Sequence, residues 1–240
     1  MILALINKYS KIFTLCLPLY LIPLNFTSAV NITQLKLESK QFSEPEEKDH
    51  QIFSKLNIPN LDLEVFKIAY KGYTRLSKEG KVKNNQLSII DFSKSSALER
   101  MFVIDMEKME LKYQTLVTHG KSSGEEYADK FSNTLNSNKS SIGFYLTAET
   151  YSGKHGYSLK LDGMETSNNA ARDRAIVMHS AAYATRDFIT KHGRLGRSQG
   201  CPALPPNINK EVIDLIKEGS CLFIYYPCKN YLSSSDYLNS

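Results

Sequence analysis

The sequence lacks the signatures of several large classes of protein. Its four cysteines form no Cys-x-x-Cys pair and its histidines form no His-x3-His pair, so the residues that bind zinc are not grouped along the chain. No Gly-Lys-Ser/Thr closes the glycine series in residues 193–200, which excludes a P-loop there. The net charge of +5 is mildly basic, but the basic residues form no stripe interleaved with aromatics. We therefore predict no metal, no cofactor and no nucleic-acid partner.

A long apolar segment is also missing. The apolar run at residues 12–24 contains two prolines and is shorter than the ~20 residues of a spanning helix. Lys8 and Lys11 precede this run, and small residues at 27–29 resemble a cleavage site. Residues 1–29 are therefore predicted to be a secretory signal peptide, with an uncleaved anchor as the alternative. We expect export to the periplasm or beyond, without a stable membrane span after cleavage.

Composition divides the remaining chain into four parts. Residues 30–58 are polar and are predicted to form a solvated linker. Residues 59–85 are predicted to be a helical N-terminal extension, with Asn60 as the cap and Gly80 at the stop. Residues 86–232 form the main domain, and residues 233–240 form a tail.

The main domain has the pattern of a sheet protein. Strands are predicted at 86–92, 101–106, 111–117, 142–147, 157–161 and 221–226, and the second and third of these form an antiparallel hairpin. One amphipathic helix is predicted near 208–216, ending at Gly219. The fold class is therefore mainly β (α+β), a sandwich-like arrangement with peripheral helices.

The loop at residues 193–204 carries the main candidate for chemistry. Three glycines remove side-chain bulk before Cys201, and prolines stiffen the chain after it. Such a loop can present backbone N–H groups beside a thiolate, as acyl transfer requires. The alternative is an ordinary turn that holds a disulfide cysteine.

A histidine upstream favours the catalytic interpretation. Residues 175–179 resemble a buried strand that ends at His179, which is a rigid position for a base. An imidazole within hydrogen-bond reach is what a cysteine nucleophile requires. His192 is the competing base, because it lies only nine positions before Cys201. His119 is expected to be a hydrogen-bonded structural histidine.

Four ordered motifs resemble a known family. They are Ser140-Ser141-Ile142-Gly143-Phe144-Tyr145, Gly153-Lys154-His155-Gly156, Leu159-Lys160-Leu161-Asp162-Gly163, and His179-Ser180 followed by Gly196-Arg197-Ser198-Gln199-Gly200-Cys201. Together they resemble the L,D-transpeptidase catalytic domain, also called YkuD-like, in its murein branch. The resemblance covers roughly residues 102–225. It implies the same sheet-rich fold, with residues 86–232 as the catalytic domain.

The resemblance also implies roles for single residues. Cys201 would be the nucleophile, His179 the base and Ser180 the group that orients this base. Gln199 and Gly200, with Cys201, would supply the oxyanion donors, and Ser198 would shape the loop.

Substrate contacts are expected from basic residues. Two positions depart from the commonest family pattern, because Gln199 replaces a histidine and Ala203 replaces an arginine or asparagine. Arg197 and Arg194 are expected to bind stem-peptide carboxylates in place of the residue missing at 203. His155 is a further candidate for facing the substrate.

The implied reaction is acyl transfer from a peptidoglycan stem tetrapeptide to an amine through a Cys201 thioester. Two alternatives stay open: hydrolysis as an L,D-carboxypeptidase at the same site, and a non-catalytic wall-binding module. A catalyst is expected to have a lowered thiol pKa and a binding module an ordinary one. Cys221 and Cys228 could pair if the chain reverses near Pro227; otherwise Cys221 is a small core residue.

Overall fold

The computed structural model describes residues 44–239. The predicted signal peptide, residues 1–29, and the first part of the predicted linker lie outside the described residues. The helices are α1 (Glu44–Leu56), α2 (Leu63–Lys78), α3 (Arg186–His192), α4 (Asn209–Ile216), α5 (Lys229–Ser234) and α6 (Asp236–Asn239). Within this part of the chain, no helix is both long enough and apolar enough to cross a membrane.

The strands form one hydrogen-bonded series. They are β1 (Gln86–Asp91), β2 (Met101–Asp105), β3 (Glu110–Thr115), β4 (Gly143–Gly153), β5 (Gly156–Gly163), β6 (Val177–Ser180), β7 (Ala203–Leu204) and β8 (Cys221–Tyr225). Their order across the sheet is β3-β2-β1-β8-β4-β5-β6-β7. The predicted mainly β fold with peripheral helices is confirmed.

The core lies where the central strands meet the helices. Every residue of β1 and β2 is buried, and β8 joins β1 in parallel with Leu87 opposite Cys221. Phe144 of β4 stacks on Phe223 of β8 with ring centroids 4.3 Å apart. β2 and β8 are almost entirely apolar because both of their faces are covered, whereas β1 also buries Gln86, Ser88 and Asp91.

The helix α2 packs into this core. Asp62 caps it by accepting from the N–H groups of Glu64 and Val65, so the prediction of Asn60 as the cap is wrong by two residues. The predicted stop is confirmed, because Gly80 follows the last turn at φ +68°. The buried side chains of α2 that reach the core are Val65, Phe66, Ala69 and Leu76.

Two terminal predictions need correction. The linker prediction is wrong for Glu44–Leu56, because these residues form α1, where Phe53 packs on Phe66 with centroids 5.2 Å apart. This helix has many charged residues and only a short apolar side, so its sequence resembles a polar linker. In the described part of the predicted tail, residues 233–239, all residues but Ser235 belong to α5 and α6, and Tyr237 and Leu238 are buried.

Candidate active site

The pairing of β6 with β7 brings His179 and Cys201 into one place. His179 lies opposite Ala203 in a parallel register, so Cys201, two residues earlier, falls beside Val177. The Val177 N–H points at Cys201 Sγ over 3.5 Å, in agreement with this register. Residues two apart share a face of a strand, so the thiol and the imidazole line the same cavity.

Two backbone groups hold the thiol of Cys201. The Val177 N–H donates to Sγ, and Sγ lies 3.6 Å from the carbonyl oxygen of Ala175, which accepts from the thiol. Ala175 has φ +51°, a left-handed conformation that is costly for alanine. The predicted strand at 175–179 therefore begins two residues later, at Val177, because Ala175 belongs to the turn before it.

Burial raises the pKa of the Cys201 thiol, although the Val177 N–H and the charge of Arg174 both act to lower it. The expectation of a lowered thiol pKa is therefore not met. The resting cysteine is a neutral thiol, so activation requires a base that removes its proton.

His179 has the properties of such a base. Its ring is only 3% exposed, and Nδ1 lies 2.9 Å from the Ser180 carbonyl oxygen. A carbonyl can only accept, so Nδ1 carries the proton and Nε2 keeps its lone pair. Burial lowers the pKa of His179, the Ser180 carbonyl opposes this, and His155 adds to it. His179 is therefore neutral at neutral pH.

His155 covers the other side of this imidazole. It lies in the turn between β4 and β5, and its ring stacks on that of His179 with centroids 4.4 Å apart and planes 26° apart. Both rings line the same cavity.

Ser198 fixes the turn that carries Cys201. Its hydroxyl donates to the Cys201 carbonyl over 2.7 Å and accepts the Gly200 N–H over 3.0 Å. Its backbone is held as well, because the Ser198 N–H donates to His119 and its carbonyl accepts from Lys121. The N–H of Gly200 is thus already used, so of the three predicted oxyanion donors only the N–H groups of Gln199 and Cys201 stay candidates.

Gly200 could not be another residue without movement of its neighbours. Its φ is +129°, and a Cβ there would lie 2.8 Å from the Lys139 carbonyl oxygen and 3.4 Å from Arg174 Nη2. Its own carbonyl accepts from Ser140 Oγ over 3.0 Å. The turn before Cys201 therefore packs tightly on residues 139–140.

The cavity in front of Cys201 has a volume of about 630 Å³ and a basic lining. The described lining contains no carboxylate side chain. Its cationic members are Lys121, Lys154, Arg174 and Arg197. A cavity with this charge favours an anionic ligand.

The two arginines predicted to bind substrate share one carboxylate. Arg197 Nη1 lies 2.5 Å from Glu125 Oε1, and Arg194 Nη2 lies 2.9 Å from Glu125 Oε2. Arg197 lines the cavity, whereas Arg194 does not. The Glu125 side chain is 71% exposed and the Arg197 side chain 22%, so solvent screens the carboxylate, and a carboxylate ligand can compete with it for Arg197.

Arg174 is a site residue that the sequence reasoning missed. It lines the cavity, and its guanidinium donates to four acceptors in residues 132–141. No local pattern marks it, because these acceptors lie 33 to 42 positions upstream.

The other histidines and cysteines of residues 44–239 lie outside this cavity. His119 is fully buried and accepts from Arg100 Nη2 over 2.8 Å, as expected for a structural histidine. His192 lies in α3 against Phe188. Cys201, Cys221 and Cys228 are all free thiols. Among residues 44–239, no three His, Cys, Asp or Glu side chains are grouped to hold a metal ion.

Fold and site together define a mainly β protein with a cysteine and a histidine in one basic cavity. The model of the L,D-transpeptidase catalytic domain family matches residues 57–225, well over half of the chain. The chain therefore belongs to the L,D-transpeptidase catalytic domain family. No curated protein matches it significantly.

Solved L,D-transpeptidases are distantly similar. One from Mycobacterium smegmatis is 13% identical, with a TM-score of 0.38 and 59% of each chain covered. L,D-transpeptidase 1 of Mycobacterium tuberculosis is 12% identical (TM-score 0.35), with 59% of this chain and 62% of that chain covered. The Stackebrandtia nassauensis enzyme is 12% identical (TM-score 0.37), with 73% and 75% covered. This chain spans less than two thirds of the first two, and at such TM-scores the family assignment rests on the family model.

Proposed function

We propose that this protein is a cysteine-dependent peptidoglycan L,D-transpeptidase. The observation that carries the proposal is the β6–β7 register, which puts the Cys201 thiol and the His179 imidazole in one cavity. Family membership supports the same reaction class. Donor and acceptor would both be stem peptides, whose carboxylates suit the basic lining of the cavity.

The first half of the reaction forms a thioester. Nε2 of His179 takes the thiol proton, and Sγ of Cys201 attacks the carbonyl carbon between the L-centre of the stem and its terminal D-amino acid. The carbonyl π electrons move onto oxygen, where the N–H groups of Gln199 and Cys201 stabilise the negative charge. The C–N bond then breaks, and the leaving amine takes the proton from His179.

The second half transfers the acyl group. The amine of a second stem loses a proton to His179 and attacks the thioester carbonyl. A new C–N bond forms and the C–S bond breaks. The sulfur leaves as a thiolate that takes the proton back from His179, so the site returns to its neutral resting state.

The basic residues of the cavity bind the donor. Arg197 binds a stem carboxylate in exchange for Glu125, while Lys121 and Lys154 attract further carboxylates. His155 holds the ring of His179 from the side of the β4–β5 turn. The proposed substrate lies outside the cytoplasm, in agreement with the export predicted from residues 1–29.

Incubation of the full chain with a disaccharide tetrapeptide, followed by chromatography and mass spectrometry, tests the proposal. We expect cross-linked dimers together with one released D-amino acid per bond, and neither product from Cys201→Ala. Release of the D-amino acid without dimers would favour the hydrolase. Absence of both products, with the protein folded and Cys201 reduced, would favour the wall-binding module.

A further inference from the structure

Arg174 differs from the other cations around Cys201 in how it is held. It is half-buried, whereas Lys121 and Lys154 are exposed. The charge of Arg197 is offset by Glu125. Among the ion pairs of residues 44–239, Arg174 has no carboxylate partner.

The guanidinium is satisfied by neutral acceptors alone. Nη1 donates to the Ser132 carbonyl over 2.7 Å and to Ser141 Oγ over 3.1 Å. Nη2 donates to the Lys139 carbonyl over 2.5 Å and to Ser137 Oγ over 3.3 Å. These bonds fix the position of the group without cancelling its charge, so its field extends into the cavity.

The guanidinium of Arg174 lies against the turn that precedes Cys201. A Cβ at Gly200 would meet both Arg174 Nη2 and the Lys139 carbonyl that Arg174 binds, so the guanidinium lies against the backbone just before Cys201. Arg174 also lies close to the thiol along the chain, since it comes one residue before Ala175, whose carbonyl accepts from the thiol.

We propose that Arg174 is the fixed positive charge that stabilises the thiolate of Cys201. This inference rests on the proposed role of Cys201 as the nucleophile. Burial disfavours a charged sulfur, and neutral His179 offers no compensating charge until it has taken the proton. A cation that is already in place lowers the cost of forming the thiolate without having to reorganise.

Other titratable or charged groups also line the cavity that holds the sulfur. They are His179 from β6, Lys154, His155 and Tyr151 from the β4–β5 hairpin, Arg197 from the loop, Lys121 from the segment after β3, and Tyr183. Among all the charged and titratable groups that line the cavity, only Arg174 combines a permanent charge, partial burial and the lack of a carboxylate partner.

The test measures alkylation of Cys201 by iodoacetamide against pH in the full chain, with the Cys201 peptide quantified by mass spectrometry. We expect Arg174→Gln to react at least about tenfold more slowly at pH 7, the lower end of the usual effect of a neighbouring opposite charge. Arg174→Lys keeps the charge but not the four hydrogen bonds, so its pH profile is expected to stay close to wild type.

Arg172→Gln is the matched control. Arg172 lies two positions away, and its guanidinium pairs with Glu149 and Asp162, so its loss should leave the pH profile unchanged. A wild-type profile in Arg174→Gln would overturn the proposal. So would equal slowing in the lysine and glutamine variants, or failure of both to fold, since these outcomes assign Arg174 a structural role. Iodoacetamide needs no peptide substrate, so this test is separate from that of the proposed function.

Discussion

Removal of the Ser198 hydroxyl is the perturbation whose effect the structure defines most closely. The hydroxyl is 5% exposed as part of Ser198, and it makes one donated and one accepted bond, to the Cys201 carbonyl and from the Gly200 N–H. Ser198→Ala leaves both buried groups without this partner. The cost of a buried unsatisfied group is about 1–3 kcal/mol.

Relaxation of the turn offsets most of this cost. The backbone of Ser198 stays paired with His119 and Lys121, so the strand-like segment is retained and only residues 199–201 are released. We therefore expect a small fall in Tm, roughly 2–6 °C for a domain of this size. The proposed oxyanion donors share the released turn, so acylation should slow by about 10²-fold, as when one such donor is lost.

Two variants make the result specific. Ser198→Thr keeps the hydroxyl and should retain most of the activity, while Ser233→Ala removes an exposed hydroxyl that bonds only to the Asn230 carbonyl and should change nothing. Thermal unfolding and the rate of acyl-enzyme formation are the two measurements. A wild-type rate in Ser198→Ala would refute the assignment of Ser198 to this turn.

Three further predictions concern the base, a buried histidine and the helix α2. His155→Ala should move the acidic limb of the kcat/KM profile to higher pH. The stacked ring of His155 contributes burial and charge that lower the pKa of His179, so its loss raises that pKa. An acidic limb that stays in place would contradict this. Burial lowers the pKa of His119 from 6.5 to about 3, so the unfolded chain binds more protons between these pH values and stability is lost as the pH falls. At pH 4 the loss is on the order of 3 kcal/mol, and Tm measured against pH should flatten in His119→Gln. Gly72→Ala gains about 0.5–1 kcal/mol of helix stability. The new Cβ would, however, lie 2.0 Å from the ring of Phe144, so we expect Tm to fall by a few degrees. Lys71→Ala, at an exposed position of the same helix, should leave Tm unchanged.

The sequence was most informative where the pattern is local. The central strands are rich in apolar and β-branched residues, so their positions could be predicted to within a few residues. The strand ending near His179 and the glycine-rich loop before Cys201 could also be recognised, since each is set by neighbouring residues. The short helices α3 and α6 gave no such signal, because a helix of one or two turns shows too little periodicity.

The charges of the site could not be predicted in the same way. Whether an arginine is available depends on partners far along the chain: Arg197 meets Glu125, 72 positions earlier, and Arg174 meets neutral groups in residues 132–141. Which N–H groups are available as proposed oxyanion donors depends on a similar contact, since the Gly200 N–H donates to the Ser198 hydroxyl. These pairings are fixed by the tertiary fold.

Intact-mass spectrometry of the full chain during incubation with a disaccharide tetrapeptide tests the central claim most directly. We predict an added mass equal to the donor minus its terminal D-amino acid, located on Cys201, absent in Cys201→Ala and slow to appear in His179→Ala. An adduct that persists in Cys201→Ala, or the absence of any adduct on folded protein with a reduced thiol, would contradict the claim that Cys201 is the nucleophile.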